Sequence, residues 1–272
     1  VIVGIEKFRF DGKNAVVVGG ASGMGLAAAT LVGELGGTVT VADVKEPLSD
    51  VGRYAPLDLR DKNAIEDFVD GLDAPVHVIL SCAGVADGTP GLPQINFIGQ
   101  RHLIEAALDR DLLPQGGAIG MIASIGGVAW HKHLDVIGEC LDNTDFDAAC
   151  AWMDAHPEHA HYAFSKQAMI AYVARRAPAL ARRQLRINCV APGPTMTPLM
   201  QASEGWLDFE AAFRAAMDRA GSEPEEQAYP LVFLVSDAAS FISGHCLVAD
   251  LGFTAGGTAG VVESPMLPLL LN

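Results

Sequence analysis

The stretch Ala15-Val16-Val17-Val18-Gly19-Gly20-Ala21-Ser22-Gly23-Met24-Gly25 is a short run of uncharged, mostly β-branched residues that breaks into glycine and then enters an apolar segment at Leu26. Such a run makes a strand buried on both faces, and the glycines permit a tight turn into a helix. The first N–H groups of that helix, with the positive end of its dipole, then point at whatever lies in the turn. Spacing through Gly19, Gly23 and Gly25 is G-x-x-x-G-x-G, which lets a pyrophosphate approach the backbone but would equally serve a plain strand-to-helix turn. The uncharged stretch from Asn14 to Gly33 has the length of a membrane span, yet Gly19, Gly20, Gly23, Gly25 and Gly33, with Ser22 and Thr30, make it a poor continuous helix.

Outward from this turn, short β-rich runs alternate with longer helical patterns. Ala15–Val18, Thr38–Ala42, Val76–Ser81, Ala118–Ala123, Arg186–Ala191 and Cys246–Ala249 read as strands, with a further one near Arg53–Leu57. Gly25–Leu35, Asp61–Leu72, Gln94–Leu112, His161–Arg183 and Glu223–Ser236 read as helices, the last with Ser222 as N-cap and Pro224 and Glu225 in its first turn. Strand then helix, repeated, predicts a doubly wound α/β domain over 1–272, with a mostly parallel seven-stranded sheet and helices on both faces. Two stretches break the rhythm, Gly126–Ala160 and Pro194–Gly221. Both follow carboxyl ends of strands, where open α/β sheets bind ligands.

The 272 residues are 50% apolar, enough for a large core, and carry 33 Asp+Glu against 18 Lys+Arg. A formal charge of −15 repels a phosphate backbone, so nucleic acid is excluded as a partner, and no segment suits a membrane. Cys82, Cys140, Cys150, Cys189 and Cys246 are odd in number and scattered, which predicts free thiols and a cytoplasmic location. His131, His133, His156, His159 and His161 have spacings that can chelate, but a part-exposed helical segment is an ordinary place for histidine, and no metal is expected.

Two places carry chemistry. Asp43 ends the second strand, where an acidic side chain would bond a ribose 2′-hydroxyl and repel a 2′-phosphate, favouring NAD over NADP. Tyr162 and Lys166 stand four apart in Tyr-Ala-Phe-Ser-Lys, on one face of a helix, so an ammonium could lower the pKa of a phenol and let it exchange protons.

Together these residues resemble the short-chain dehydrogenase/reductase family, over about Gly12 to Gly257. Val18 to Gly25 matches the family's cofactor turn, with Val18 where Thr is usual, so the resemblance places Gly19, Ala21, Ser22, Gly23 and Met24 at the cofactor, followed by Asp43 and Val44. Asp58 and Leu59 match its adenine-contacting stretch, and Ser81-Cys82-Ala83-Gly84 stands for its Asn-Asn-Ala-Gly, with both asparagines absent. Pro192, Gly193, Thr195 and Thr197 match the nicotinamide-side loop, and Asn96, Ser124, Tyr162 and Lys166 match the catalytic tetrad. The resemblance implies a Rossmann-type fold with strand order 3-2-1-4-5-6-7, NAD as cofactor, and hydride transfer with a secondary alcohol or ketone. In that reading Tyr162 carries the proton, Ser124 hydrogen-bonds the substrate oxygen, Lys166 tunes Tyr162 and holds the nicotinamide ribose, and Asn96 keeps a relay water by distorting its helix.

From Ser124 to Tyr162 is 38 positions, longer than the family's usual spacing, so about 128–160 reads as an insert expected to wall the substrate pocket. A similar insert occurs in the bacterial 3α-hydroxysteroid dehydrogenase/carbonyl reductase branch, which the chain also resembles in Leu-Ser-Cys-Ala-Gly and Ala-Pro-Gly-Pro-Thr-Met-Thr-Pro-Leu. There it occupies a common oligomer contact, which implies a homodimer rather than a homotetramer. Met196, Leu199, Met200, Trp206, Leu207, Phe209 and Phe213 make 194–221 an apolar lid and point to a hydrophobic, alicyclic or steroid-like substrate. Aryl carbonyl reduction, diol oxidation and a non-catalytic NAD-binding regulatory role stay open. The apolar tail Val261–Leu271 is expected to pack on its own body or on a neighbouring subunit.

Overall fold

Seven strands form one sheet in the order β3-β2-β1-β4-β5-β6-β7, every neighbouring pair parallel. The computed structural model describes residues 4–72, 75–201 and 205–272. The strands are β1 (Asn14–Val18), β2 (Thr38–Asp43), β3 (Arg53–Pro56), β4 (Val78–Ser81), β5 (Ala118–Ile122), β6 (Arg186–Pro192) and β7 (Cys246–Ala249). The expected strand order is the observed one, and the sheet is wholly rather than mostly parallel. Parallel neighbours require crossovers, which are α1 (Gly23–Glu34), α2 (Lys62–Asp70), α3 (Gly99–Asp109), α4 (Leu134–Asp142), α5 (Phe146–Ala155), α6 (Tyr162–Arg182), α7 (Pro198–Gln201), α8 (Trp206–Met217) and α9 (Pro224–Val235). Two short helices, α10 (Phe253–Thr258) and α11 (Leu267–Leu271), follow β7.

The period of two along β1 sorts its side chains into two cores. Val16 and Val18 pack with α3 and α6 residues such as Ile104, Met169 and Val173, while Ala15 and Val17 face Ala28, Val32 and Leu231 from α1 and α9. The central strands are therefore buried throughout, which explains their uninterrupted apolar character. The edge strand β3 is only half buried, and its hydrophobic signal is correspondingly weak. Arg186 is buried at the start of β6 because its guanidinium donates to the carbonyl oxygens of Leu234, Val235 and Ser236, at the negative end of α9.

At the other end of α9 the expected cap moves by one residue. Glu223 is the N-cap, and the Glu226 carboxylate accepts from the Glu223 N–H at 2.9 Å. Ser222 is drawn away because its N–H and hydroxyl both bond Pro194 O, and Gln227 Nε2 donates to its hydroxyl.

The long segment before α6 packs as α4 and α5 with buried Ile137, Cys140, Leu141, Phe146, Ala149 and Met153. The pair lies against α6 and the turn before α3. Arg101 of α3 reaches the carbonyls of Leu141 and Asn143, and Lys62 at the start of α2 pairs with Asp145 and Asp147. The apolar tail folds onto its own body: Leu267 and Leu270 join Phe213 of α8, Phe253 of α10 and Ile125 in a third cluster. No helix among the described residues is long and apolar enough to cross a membrane.

Candidate active site

The turn from β1 into α1 works by close approach. Gly19 has φ +74°, and a Cβ on it would lie 2.5 Å from the backbone nitrogen of Ala83. A Cβ on Gly25 would lie 2.1 Å from the Gly19 carbonyl oxygen. Only glycine lets the ends of β1 and β4 and the first turn of α1 nest this tightly. Ser22 stands at the N-cap without a side-chain capping bond, so the start of α1 is left open to a ligand.

That opening belongs to a cleft of about 460 Å3 at the carboxyl ends of β1, β2 and β4. Gly19, Ser22, Gly23 and Met24 line it from the turn, and Asp43 and Val44 from the end of β2. Asp58 and Leu59 follow β3, Cys82, Ala83 and Gly84 follow β4, and Tyr162, Lys166 and Thr197 close the inner end. Ala21 is not on the lining; its N–H donates to Asp43 Oδ2 at 3.0 Å and so orients the carboxylate. Asp43 Oδ1 accepts from Lys45 N–H. Pro192, Gly193 and Thr195 form the layer beneath Thr197, where the buried Thr195 hydroxyl bonds Gly193 O and the Ser222 hydroxyl. Thr197 itself leans over Gly23, with its methyl 3.2 Å from the position a Cβ there would take.

The four residues expected to do chemistry converge from three elements. Ser124 follows β5, and its Oγ accepts from Gly126 N–H at 3.1 Å, which leaves the hydroxyl proton free to donate. The Tyr162 ring and Ser124 Oγ flank Gly126, at 4.0 and 3.5 Å from the position of a Cβ there. Lys166 is buried, one turn along α6, with Nζ donating to Ile122 O at 2.8 Å and lying 5.5 Å from the centre of the Tyr162 ring. Asn96 is fully buried on a π-helical turn, Gln94–Ile98, and clasps Val85 by accepting from its N–H and donating to its carbonyl. The expected helix from Gln94 is thus distorted at Asn96, and its α-helical part begins at Gly99. Neither Asn96 nor Ser124 lies on the lining, although Asn96 Oδ1 and Lys166 Nζ are 3.9 and 3.8 Å from where a Gly84 Cβ would sit.

Burial dominates the electrostatics at this end. Burial pushes the Lys166 ammonium down to about 8, with Cys82 and Cys189 opposing. The Tyr162 phenol is raised, first by burial and also by the Asp87 carboxylate, while the Ser124 hydroxyl pulls it down. In the protein alone, desolvation is the largest influence on the Tyr162 phenol, and the Lys166 ammonium is turned toward Ile122 O. Burial also pushes the Cys82 thiol up to about 12, so this cleft residue is an inert thiol.

Residues 128–160 are not among those lining the cleft, and α4 and α5 pack against α3 and α6. The histidines there have structural contacts. His156 and His159 stack on Trp152, and His159 on Phe164, while His161 Nδ1 accepts from the Phe164 N–H at the start of α6.

Gln100 is the residue sequence reasoning missed. Its Oε1 accepts from Ser81 Oγ at 2.6 Å, and its Nε2 donates to Ala83 O and Ile95 O. A buried glutamine thus ties β4 to the Asn96 turn where the family uses asparagines. Its signal was present: a polar residue four after Asn96, on the apolar face of a helical pattern. Arg60, which clamps the Asp58 carboxylate and lines the cleft, and Asp87, beside Tyr162, gave no such signal because both sit in loops.

Comparison with known proteins adds independent weight. A family model described as enoyl-(acyl carrier protein) reductase matches residues 148–254. Cis-4-hydroxycyclohexanecarboxylate dehydrogenase of Sinomonas cyclohexanicum is 29% identical over 261 residues, covering 90% of this chain and 98% of that protein. The 3-alpha-hydroxysteroid dehydrogenase/carbonyl reductase of Comamonas testosteroni is 29% identical over 252 residues, covering 88% and 96%. Among solved structures, that of gox2181 superposes with a TM-score of 0.72 at 25% identity, covering 92% of this chain and 99% of that one. The likeness runs nearly end to end in each of these relatives, and with the glycine turn, the strand order and the Tyr162 helix it makes the chain similar to the short-chain dehydrogenase/reductase family.

Proposed function

We propose that this chain is an NAD-dependent oxidoreductase that interconverts a hydrophobic, alicyclic or steroid-like secondary alcohol and its ketone. The observation that carries the reading is convergence: Tyr162 and Lys166 line the inner end of the cleft whose outer end holds the glycine turn and Asp43, and Ser124 stands behind that inner end, across Gly126 from the Tyr162 ring. The residues fit a dinucleotide, because the uncapped start of α1 suits a pyrophosphate and the glycine turn leaves no Cβ in its way. The Asp43 carboxylate, held by the Ala21 N–H, supports NAD over NADP, since it would bond a 2′-hydroxyl and repel a 2′-phosphate. The cofactor supplies the hydride acceptor or donor and, when oxidised, a positive charge beside the phenol.

The remaining work falls to the chain. Tyr162 gives a proton to the substrate oxygen in reduction and takes it in oxidation; its raised pKa keeps it protonated at neutral pH, the form reduction needs. Ser124 donates its free hydroxyl proton to the same oxygen, and Lys166 holds the ribose and offers its ammonium to the phenolate. Asn96, on its π-turn, fixes the Val85 loop and keeps a water in the relay. At the substrate end Pro198 and Leu199 line the cleft and Lys166 is the cation; the other lining cations, Lys45 and Arg60, stand at the Asp43 and Asp58 end. This distribution supports an uncharged apolar substrate; the relative named for a hydroxysteroid agrees with it, whereas the one named for a hydroxycyclohexanecarboxylate shares an alicyclic ring but carries an anionic group. With α4 and α5 packed against α3 and α6, a homodimer is the assembly we propose.

The test follows NADH absorbance against alicyclic, steroid and aryl alcohols. Oxidation of members of the first two groups with NAD, far faster than with NADP, is the expected result. Tight NADH binding with no turnover of any alcohol or ketone would overturn the reading in favour of a non-catalytic dinucleotide-binding protein.

A further inference from the structure

The first N–H groups of a helix have no partner inside it, and α6 begins at the residue that matters most. The cap is double. Locally, His161 Nδ1 accepts from the Phe164 N–H at 3.3 Å. The Tyr162 N–H itself is taken by Asp87 Oδ1 at 2.6 Å, from a residue 75 positions earlier in the loop after β4. That loop supplies Gly84, Val85, Thr89 and Pro90 to the cleft, and Asn96 clasps it at Val85.

We propose that Asp87 is a positioning residue: its carboxylate joins the first peptide N–H of the catalytic helix to the cleft-lining loop and so sets where the Tyr162 phenol stands. A cap contributed by a distant loop couples two parts of the site that a cap from the preceding residue would leave independent. The bond is charge-assisted, and the carboxylate sits at the positive end of a long helix, so it is a strong tie even though Asp87 is exposed.

The charge has a second consequence. The groups facing Tyr162 are Lys166 from its own helix, Ser124 after β5, Asp87 from the loop after β4, and His161 just before it, with Cys82 beyond Lys166. Asp87 is the carboxylate among them. It opposes ionisation of the phenol and favours the protonated His161, whose pKa burial otherwise lowers.

The inference rests on reading Tyr162 as the proton-transfer group, so the test includes measurements that do not need turnover. Asp87→Ala and Asp87→Asn are compared with the wild type by amide exchange at Tyr162, by ultraviolet titration of the phenol against Tyr162→Phe, and by kcat and KM. In Asp87→Ala the Tyr162 amide exchanges faster and kcat falls about tenfold, with NADH affinity unchanged. Asp87→Asn still offers an acceptor, so it restores amide protection and most of kcat. In both variants the phenol titrates at lower pH, and the acidic limb of alcohol oxidation moves with it. Wild-type exchange and kcat in Asp87→Ala, no rescue by Asp87→Asn, or a phenol titration unmoved in Asp87→Asn would each overturn the proposal. A wild type that turns over nothing would sink the functional reading instead, while exchange and titration would still decide this one.

Discussion

The two ends of the cleft are built on different principles. The outer end is backbone and surface: a glycine turn, an uncapped helix start, and the Asp43 and Asp58 carboxylates, each partly open to solvent and each held by a neighbour close by. The inner end is buried side chains. Lys166 is 2% exposed, Asn96 and Gln100 are 0% exposed, and each is anchored by buried or part-buried bonds to another strand or loop. In water-filled surroundings a lost hydrogen bond is replaced by solvent, whereas a buried polar group left without a partner costs its full desolvation. Changes at the outer end should therefore select between ligands, and changes at the inner end should weaken chemistry or the fold itself.

The sharpest way to break that contrast is Tyr162→Phe. It should lower kcat by about three orders of magnitude while leaving NADH fluorescence titrations unchanged, because only the proton-transfer atom is removed. A near wild-type rate would remove the inner end from the chemistry. Next, Gly25→Ala places a Cβ 2.1 Å from the Gly19 carbonyl, so the turn must open. Dinucleotide affinity should fall about a hundredfold, and urea denaturation should show a loss of about 2 kcal/mol. Gln100→Ala strips the partners from Ser81 Oγ, Ala83 O and Ile95 O, and should lower unfolding stability by a similar 2 kcal/mol without touching the cofactor. Asp43→Asn removes only a charge at the outer end; it should narrow the preference for NAD over NADP by about tenfold and leave stability within experimental error.

The smallest expected effect is a slope. Lys166 titrates near 8 in the folded chain against an ordinary 10.5, so between these values the unfolded chain binds more protons than the folded one. Lys166 therefore makes stability rise with pH across that window, and below pH 8 its burial penalty is constant. Lys166→Met should flatten the rise, as read from urea midpoints at pH 8 and pH 10. An unchanged slope would mean that the ammonium is better solvated than its burial implies.

The parts of the molecule that could be read from residues are those whose signal is local. The β1 turn declares itself because a β-branched run, four glycines and an apolar helix are contiguous, and the parallel sheet follows from repeated strand and helix patterns. Tyr162 and Lys166 share a helix face through a four-residue offset. Gln100 was missed although it lay on an apolar face, because its partners, Ser81 and Ala83, belong to another element. The packing of 134–155 on α3 was decided by Arg101 and Lys62, and nothing near the segment announces either. Ser222 was a good local cap that lost to a tertiary partner, Pro194.

What sequence alone determined is the set of elements, their alternation and the residue types at the cleft, since periodicity and turn chemistry act over a few neighbours. Tertiary structure decided which polar groups are buried together, and with that the direction of each pKa. The Tyr162 phenol is raised rather than lowered because desolvation and the Asp87 charge act through space, and distance in space is not written in the spacing of Tyr162 and Lys166 along a helix.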